Sequence, residues 1–202
     1  RSKITGTGMY VPAGVVTNDD LAQRMDTSDE WIRQRSGIAE RRHVDGTETP
    51  ADLALQASQR ALEAAGVGVN EIDAIILATL SPQHDFPGTS FFLHERLGAP
   101  EIPCFDLRAQ CSGFLYSLAT ADAFIRSGQM RRILVVGAEV HSGLMPWPES
   151  VWDVMLGRND GPCDPYWYER ATGMRDRAVL FGDGAGAMVL EANESGDGRG
   201  FL

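Results

Sequence analysis

The sequence predicts an α/β layered domain, and three observations carry that prediction. Two continuous apolar runs, IDAIILATL (72–80) and RILVVGAEV (132–140), have the make-up of strands buried on both faces of a parallel sheet. Segments with helical apolar spacing and clear stop signals lie between the strand-like runs. The resulting order of elements, β, α, β, α, β, α, β, β, calls for right-handed crossovers with helices packed on the sheet.

Taken in order, KITGTGMYVP (3–12) reads as a strand closed by Gly and Pro, and Thr17, Asn18, Asp19 and Asp20 supply a cap for a short helix. Thr27 and Glu30 have capping-box spacing, and SDEWIRQRSG (28–37) ends on Gly37. Thr49, Pro50 and Asp52 open a longer helix, with Leu53, Ala54, Ala57, Ala61, Leu62 and Ala65 on its apolar side and Gly66 at its end. A helix around 88–97 leads to a strand-like run ending FDL (105–107). Next come an amphipathic helix, QCSGFLYSLATADAFIRSG (110–128), the second apolar run, and a last strand, AMVLEA (187–192). The stretch 142–176 departs from this economy: Trp147, Trp152, Tyr166, Trp167 and Tyr168 stand among prolines and glycines, predicting a long loop whose aromatics form a packed lid or an interface.

The 202 residues suit one sizeable domain or two small ones, and a 43% hydrophobic content is enough for a core. A net charge of −10 argues against nucleic acid or an anionic membrane as partner. Cys104, Cys111 and Cys163 form an odd set without metal-type spacing, which fits a reducing cytoplasm and no metal site. No uninterrupted apolar stretch approaches the ~18 residues of a membrane span. The words GTGMYVP (6–12) and GDGAG (182–186) lack the glycine spacing between strand and helix that a phosphate cradle needs.

Cys111 is the chemical candidate. A thiol at the start of a helix meets unpaired backbone N–H groups and partial positive charge, which favour its nucleophilic thiolate. An arbitrary Cys is more often a small buried hydrophobe. Here Ser112 and Gly113 leave room for a substrate, and Phe114, Leu115, Leu118, Ala121 and Ile125 give the helix a docking face. Trp31, Arg33 and Arg35 read either as a core Trp with solvated cations or as an aromatic and guanidinium surface for a purine and its phosphates. Among the four histidines, His141 is expected near the sheet edge that carries Cys111, because it follows the strand 132–140.

The words ITGTGMYVP (4–12), TNDDL (17–21), DTSDEWIRQRSGI (26–38), HDFPG (84–88), DLRAQCSGF (106–114) and FGDGAGAMVLE (181–191) occur in series over nearly the whole chain. Together they resemble the N-terminal half of beta-ketoacyl-acyl-carrier-protein synthase III, a condensing enzyme of the thiolase superfamily. The resemblance implies a thiolase-like fold of two similar halves in a homodimer, with residues 1–202 forming one half built on a five-stranded mixed sheet with covering helices. It implies that Cys111 accepts the acyl group and that Trp31 stacks on the adenine of coenzyme A, with Arg177 on the other face. Thr27 and Arg35 would help hold that nucleotide. Phe86 matches a residue that reaches into the partner subunit's acyl pocket, and Phe181 a wall beside the reactive Cys.

The implied reaction, part of fatty acid biosynthesis, needs no cofactor, acyl-CoA being a substrate. The Cys111 thiolate attacks the acyl-CoA thioester. A malonyl thioester on acyl carrier protein then loses CO2, and the carbanion takes the acyl group to give a 3-oxoacyl product. In the family a C-terminal half supplies a His, an Asn and a glycine-rich oxyanion loop, so that half is expected from the same gene or from a second chain. His141 stands where an aliphatic residue is usual, and Gln110 and Ser112 replace alanines beside the Cys. The 142–176 stretch exceeds its family counterpart by on the order of twenty residues. These departures point to a specialised pathway. They leave two alternatives: an acyltransferase using the same acyl-Cys without decarboxylation, and a non-catalytic partner subunit.

Overall fold

The computed structural model describes residues 1–145, 147–159, 161–194 and 200; Pro146 and Asp160 of the 142–176 stretch lie outside the described residues, as does the chain end at Leu202. Strands are β1 (Ser2–Tyr10), β2 (Gly14–Thr17), β3 (Glu40–His43), β4 (Ala74–Ala78), β5 (Cys104–Leu107), β6 (Arg132–Glu139) and β7 (Gly184–Ala192). Helices are α1 (Asn18–Ala22), α2 (Asp29–Ser36), α3 (Pro50–Ala65), α4 (Thr89–Leu97), α5 (Gly113–Arg126), α6 (Glu149–Met155), α7 (Pro165–Gly173) and α8 (Arg175–Ala178). The chain divides into two compact units, Arg1–Val11 with Glu48–Glu139 and Gly184–Leu202, and Pro12–Thr47 with Val140–Asp183.

The first unit holds the expected five-stranded mixed sheet, in the order β1-β7-β6-β4-β5. β4 runs parallel to β5 and β6, while β7 is antiparallel to β6 and to β1. Every residue of β4 is buried, as its unbroken apolar run requires. One face carries a core in which Ala54, Ala57, Ala61 and Leu62 of α3 meet Ile75, Leu77, Leu134, Val136 and Val189. On the other, Ala121 and Ile125 of α5 meet Ile76, Ile133, Val135 and Leu190. Each buried Leu, Ile or Val contributes roughly 1.5–3 kcal/mol through burial.

α3 begins with a reciprocal cap: the Thr49 amide donates to Asp52 Oδ2 at 2.8 Å, and the Asp52 amide donates to Thr49 Oγ1. It stops at Gly66, whose φ of 68° is the left-handed conformation of a helix end. Its alanine stripe lets it lie directly on β1. A Cβ at Gly8 would land on the Ala57 carbonyl oxygen and 2.5 Å from the Ala61 nitrogen, so β1 carries glycine there.

In the second unit β2 and β3 pair antiparallel, with Gly14 opposite His43 and Thr17 opposite Glu40. Val16, Leu21, Met25, Ile32, Trp147, Val151, Met155, Ala171, Ala178 and Val179 form its core. Thus the aromatic-rich stretch expected as a loop folds into α6, α7 and α8, because its apolar side chains recur at helical spacing after Pro148 and Pro165, which start α6 and α7. The α2 cap also differs by one residue from expectation: Ser28 Oγ, not Thr27, accepts the Trp31 amide at 3.1 Å.

Two buried polar groups brace this unit. Arg41 donates to the Val179 carbonyl through Nε and Nη2 and to Asn18 Oδ1 through Nη1, and burial lowers its guanidinium to about 10. Asp183 accepts the amides of Val44 and Ser142, each at 2.9 Å, with His43 Nδ1 3.6 Å away. Burial alone would raise the Asp183 carboxyl; the His43 imidazole and the two amides outweigh it and hold the group below its ordinary value.

Candidate active site

Parallel strands gather their carboxyl ends on one side of a sheet, where side chains can converge on a ligand. In the first unit β4 and β6 end together, and antiparallel β7 begins beside them. A recess of about 300 Å³ opens there, lined by Ala78, Cys111, Phe114, Gly137, Glu139 and Gly186 among others. Cys111 is exposed and free.

The chain reaches Cys111 from β5 through a tight turn. Gln110 has φ 45°, the one positive value outside glycine among the described residues, a conformation that costs on the order of 1–3 kcal/mol and persists only where its surroundings impose it. Expected as the opening of a helix, Cys111 instead sits in a 3-10 turn, Gln110–Ser112, and α5 starts at Gly113. The cause is local: Ser112 N–H donates to the Ala109 carbonyl at 3.1 Å, closing a three-residue turn first. Small residues then bring the helix close, since a Cβ at Gly113 would stand 3.2 Å from Ala78 Cβ.

Glu139, at the end of β6, adds a group that the sequence reading missed. Its carboxylate accepts the amides of Leu80 and Ser81 and the hydroxyls of Thr79 and Ser81, tying the segment after β4 to the recess. The signal was an acidic residue closing an otherwise apolar strand. Further along that segment, Phe86 is 91% exposed, so its own chain gives it no cover.

The second unit gathers the other expected residues into two groups. Around Trp31, the Arg35 guanidinium lies 4.3 Å from the ring centroid and that of Arg175 lies 4.4 Å away. Arg177, expected on the far face of an adenine stacked on Trp31, has a largely exposed side chain 3.9 Å from Asp176. Residues two apart on a helical turn point in different directions, so only one of Arg175 and Arg177 can face Trp31. Arg175 is fixed there by donating from Nη1 to the Asp26 carbonyl at 2.6 Å. Thr27, just before the cap of α2, keeps Oγ1 buried without a hydrogen-bond partner. In the second group His141 stacks on Phe181 with centroids 4.7 Å apart and planes at 14°. Among the described residues no cluster of three His, Cys, Asp or Glu is placed to hold a metal, and no helix is long and apolar enough to cross a membrane.

A mixed five-stranded sheet covered by helices, with an exposed Cys at the head of the helix after an edge strand, has the fold of the thiolase-like condensing enzymes. The family described as 3-Oxoacyl-[acyl-carrier-protein (ACP)] synthase III matches residues 105–161, a stretch that includes Cys111. The beta-ketoacyl-[acyl-carrier-protein] synthase III of Neisseria meningitidis serogroup A is 45% identical over 195 residues, covering 96% of this chain and 53% of that protein. Its counterpart from Alkalilimnicola ehrlichii is 47% identical over 194 residues, covering 96% and 52%. The crystal structure of 3-oxoacyl-[acyl-carrier-protein] synthase III from Aquifex aeolicus superposes with a TM-score of 0.81 at 42% identity, covering 96% of this chain and 55% of that one. Over nearly all its length the chain is therefore similar to beta-ketoacyl-[acyl-carrier-protein] synthase III, and it spans about half the length of the curated relatives it matches.

Proposed function

We propose that Cys111 is the acyl acceptor of a synthase III-type condensing enzyme, of which residues 1–202 are the N-terminal half. The observation that carries this reading is the exposed thiol in a constrained turn, set in a recess at the carboxyl ends of β4 and β6. The Cys111 sulfur attacks the carbonyl carbon of an acyl-CoA thioester, and coenzyme A leaves as its thiol. Backbone N–H groups of the first turn, that of Cys111 included, receive the oxyanion. Condensation with malonyl-acyl carrier protein, with loss of CO2, follows in the complete enzyme once a C-terminal half is present.

Trp31 with Arg35 and Arg175 offers an aromatic and guanidinium surface for the adenine nucleotide of coenzyme A, beside Thr27. A homodimer is supported by β5 at an open edge of the sheet, with Phe105 on that strand and Phe86 both exposed. The acyl step is tested by incubating the chain, with a supplied C-terminal half, with short acyl-CoAs and reading the mass of the Cys111 peptide. An acyl adduct that vanishes in Cys111→Ala is expected; an unmodified peptide overturns the reading.

A further inference from the structure

Within the second unit, Arg24 follows α1 and is only 6% exposed. Taking a guanidinium out of water costs several kcal/mol unless a counter-charge and well-made hydrogen bonds offset it. Among the described residues its hydrogen-bond partner is the Gly161 carbonyl, 3.3 Å from Nη1, and no carboxylate pairs with it. Four of the five guanidinium N–H donors therefore have no protein acceptor among those residues. Nε and Nη2 are not among the side-chain atoms sealed from solvent without a partner, so each keeps some contact with solvent.

Arg24 forms one wall of a recess of about 240 Å³. Val151, Val154, Pro162 and Trp167 give it apolar sides, and Ser150 adds a hydroxyl. Asp164 also borders it, with Oδ1 committed to the first turn of α7, where it accepts the Tyr166 amide at 2.8 Å. The Trp31 cluster and the Cys111 recess share no residue with this site. A planar, two-pronged acceptor best matches an unfilled guanidinium fork, and the walls call for a few carbons behind it.

We propose that this recess binds a small carboxylate bearing a short apolar tail, its oxygens on Arg24 and its carbons against Val151, Val154 and Trp167. Such a ligand binds the folded chain and not the unfolded one, so it raises the melting temperature by mass action.

The test is thermal unfolding of the 202-residue chain in butyrate, acetate or inorganic phosphate, each against chloride at equal pH and ionic strength, with tryptophan fluorescence followed in parallel. Butyrate at about twentyfold its Kd is expected to raise the melting temperature by about 3 °C or more, and acetate by less. Arg24→Met should abolish both shifts. Val154→Phe, which keeps the cation and fills the tail space, should lose the butyrate shift and keep that of acetate. If R24M does not fold, V154F decides the matter alone. No butyrate shift, an equal shift in R24M, an unchanged butyrate preference in V154F, or a response to phosphate alone would each overturn the assignment.

Discussion

Substituting Gly8 by alanine probes how tightly the sheet is backed by α3. The added Cβ would overlap the Ala57 carbonyl oxygen and sit 2.5 Å from Ala61 N and 2.8 Å from Arg60 Cβ. Two of these three atoms are helix backbone, which cannot rotate aside as a side chain tip can. Overpacking of a core costs about 1–3 kcal/mol, and a clash against backbone belongs at the upper end, about 3 kcal/mol. For a chain of this size that corresponds to a fall of about 6–12 °C in Tm. The matched control is Gly186→Ala, where nothing lies within 4 Å of the new Cβ and φ is ordinary. There the reduced freedom of the unfolded chain should leave stability unchanged or raised by about 0.4–1 kcal/mol. Urea unfolding followed by circular dichroism, with the slope checked for constancy, measures both. If G8A unfolded within about 1 kcal/mol of G186A, the reasoning that α3 lies in backbone contact with β1 would be refuted.

Arg175→Ala removes a cation 4.4 Å from the Trp31 ring, an interaction worth about 0.5–1 kcal/mol at an exposed site, so urea unfolding should show the variant less stable by about that amount. Arg177→Ala, whose side chain is largely exposed, should leave stability unchanged, and an equal loss in R177A and R175A would refute a specific Arg175–Trp31 contact. Asp183→Asn should destabilise the protein at neutral pH by about 1.5–3 kcal/mol, the range for hydrogen bonds to a charged group. Because the folded carboxyl titrates below its ordinary value of 3.8, its contribution is complete above that pH and is lost as pH falls through the lower folded value. Denaturation curves of D183N and the parent protein should accordingly converge on acidification from about pH 4 downward. A gap that stays constant to the acid limit would argue against an ionised Asp183.

What could be read in advance follows from how local each determinant is. Thr49, Pro50, Asp52 and Gly66 bracket α3 because a cap and a left-handed stop are made within a few residues. The buried runs revealed β4 and β6 because a strand covered on both faces needs apolar residues at every position. β7 begins three residues earlier than AMVLEA, at Gly184, since pairing with β1 and β6 recruits glycines that carry no strand signal of their own. The helices α6 and α7 of the 142–176 stretch were hidden because Pro148 and Pro165, read as breakers, stand where these helices begin. Cys111 was legible from its neighbours, whereas Arg175 over Trp31 and the Glu139 clamp depend on which way a side chain turns once distant segments meet.

Gly186 has a consequence for anyone wishing to alter what fits beside the Cys111 sulfur. Its position borders the cavity and is backed by empty volume, while Gly8 on the neighbouring strand β1 has no slack against α3. Shape can therefore be edited at Gly186 even though its register partner, Met9, directly follows the tightly packed Gly8. A graded series there, from alanine to valine to leucine, would shorten the chamber stepwise and turn a single site into a ruler for the length of the guest.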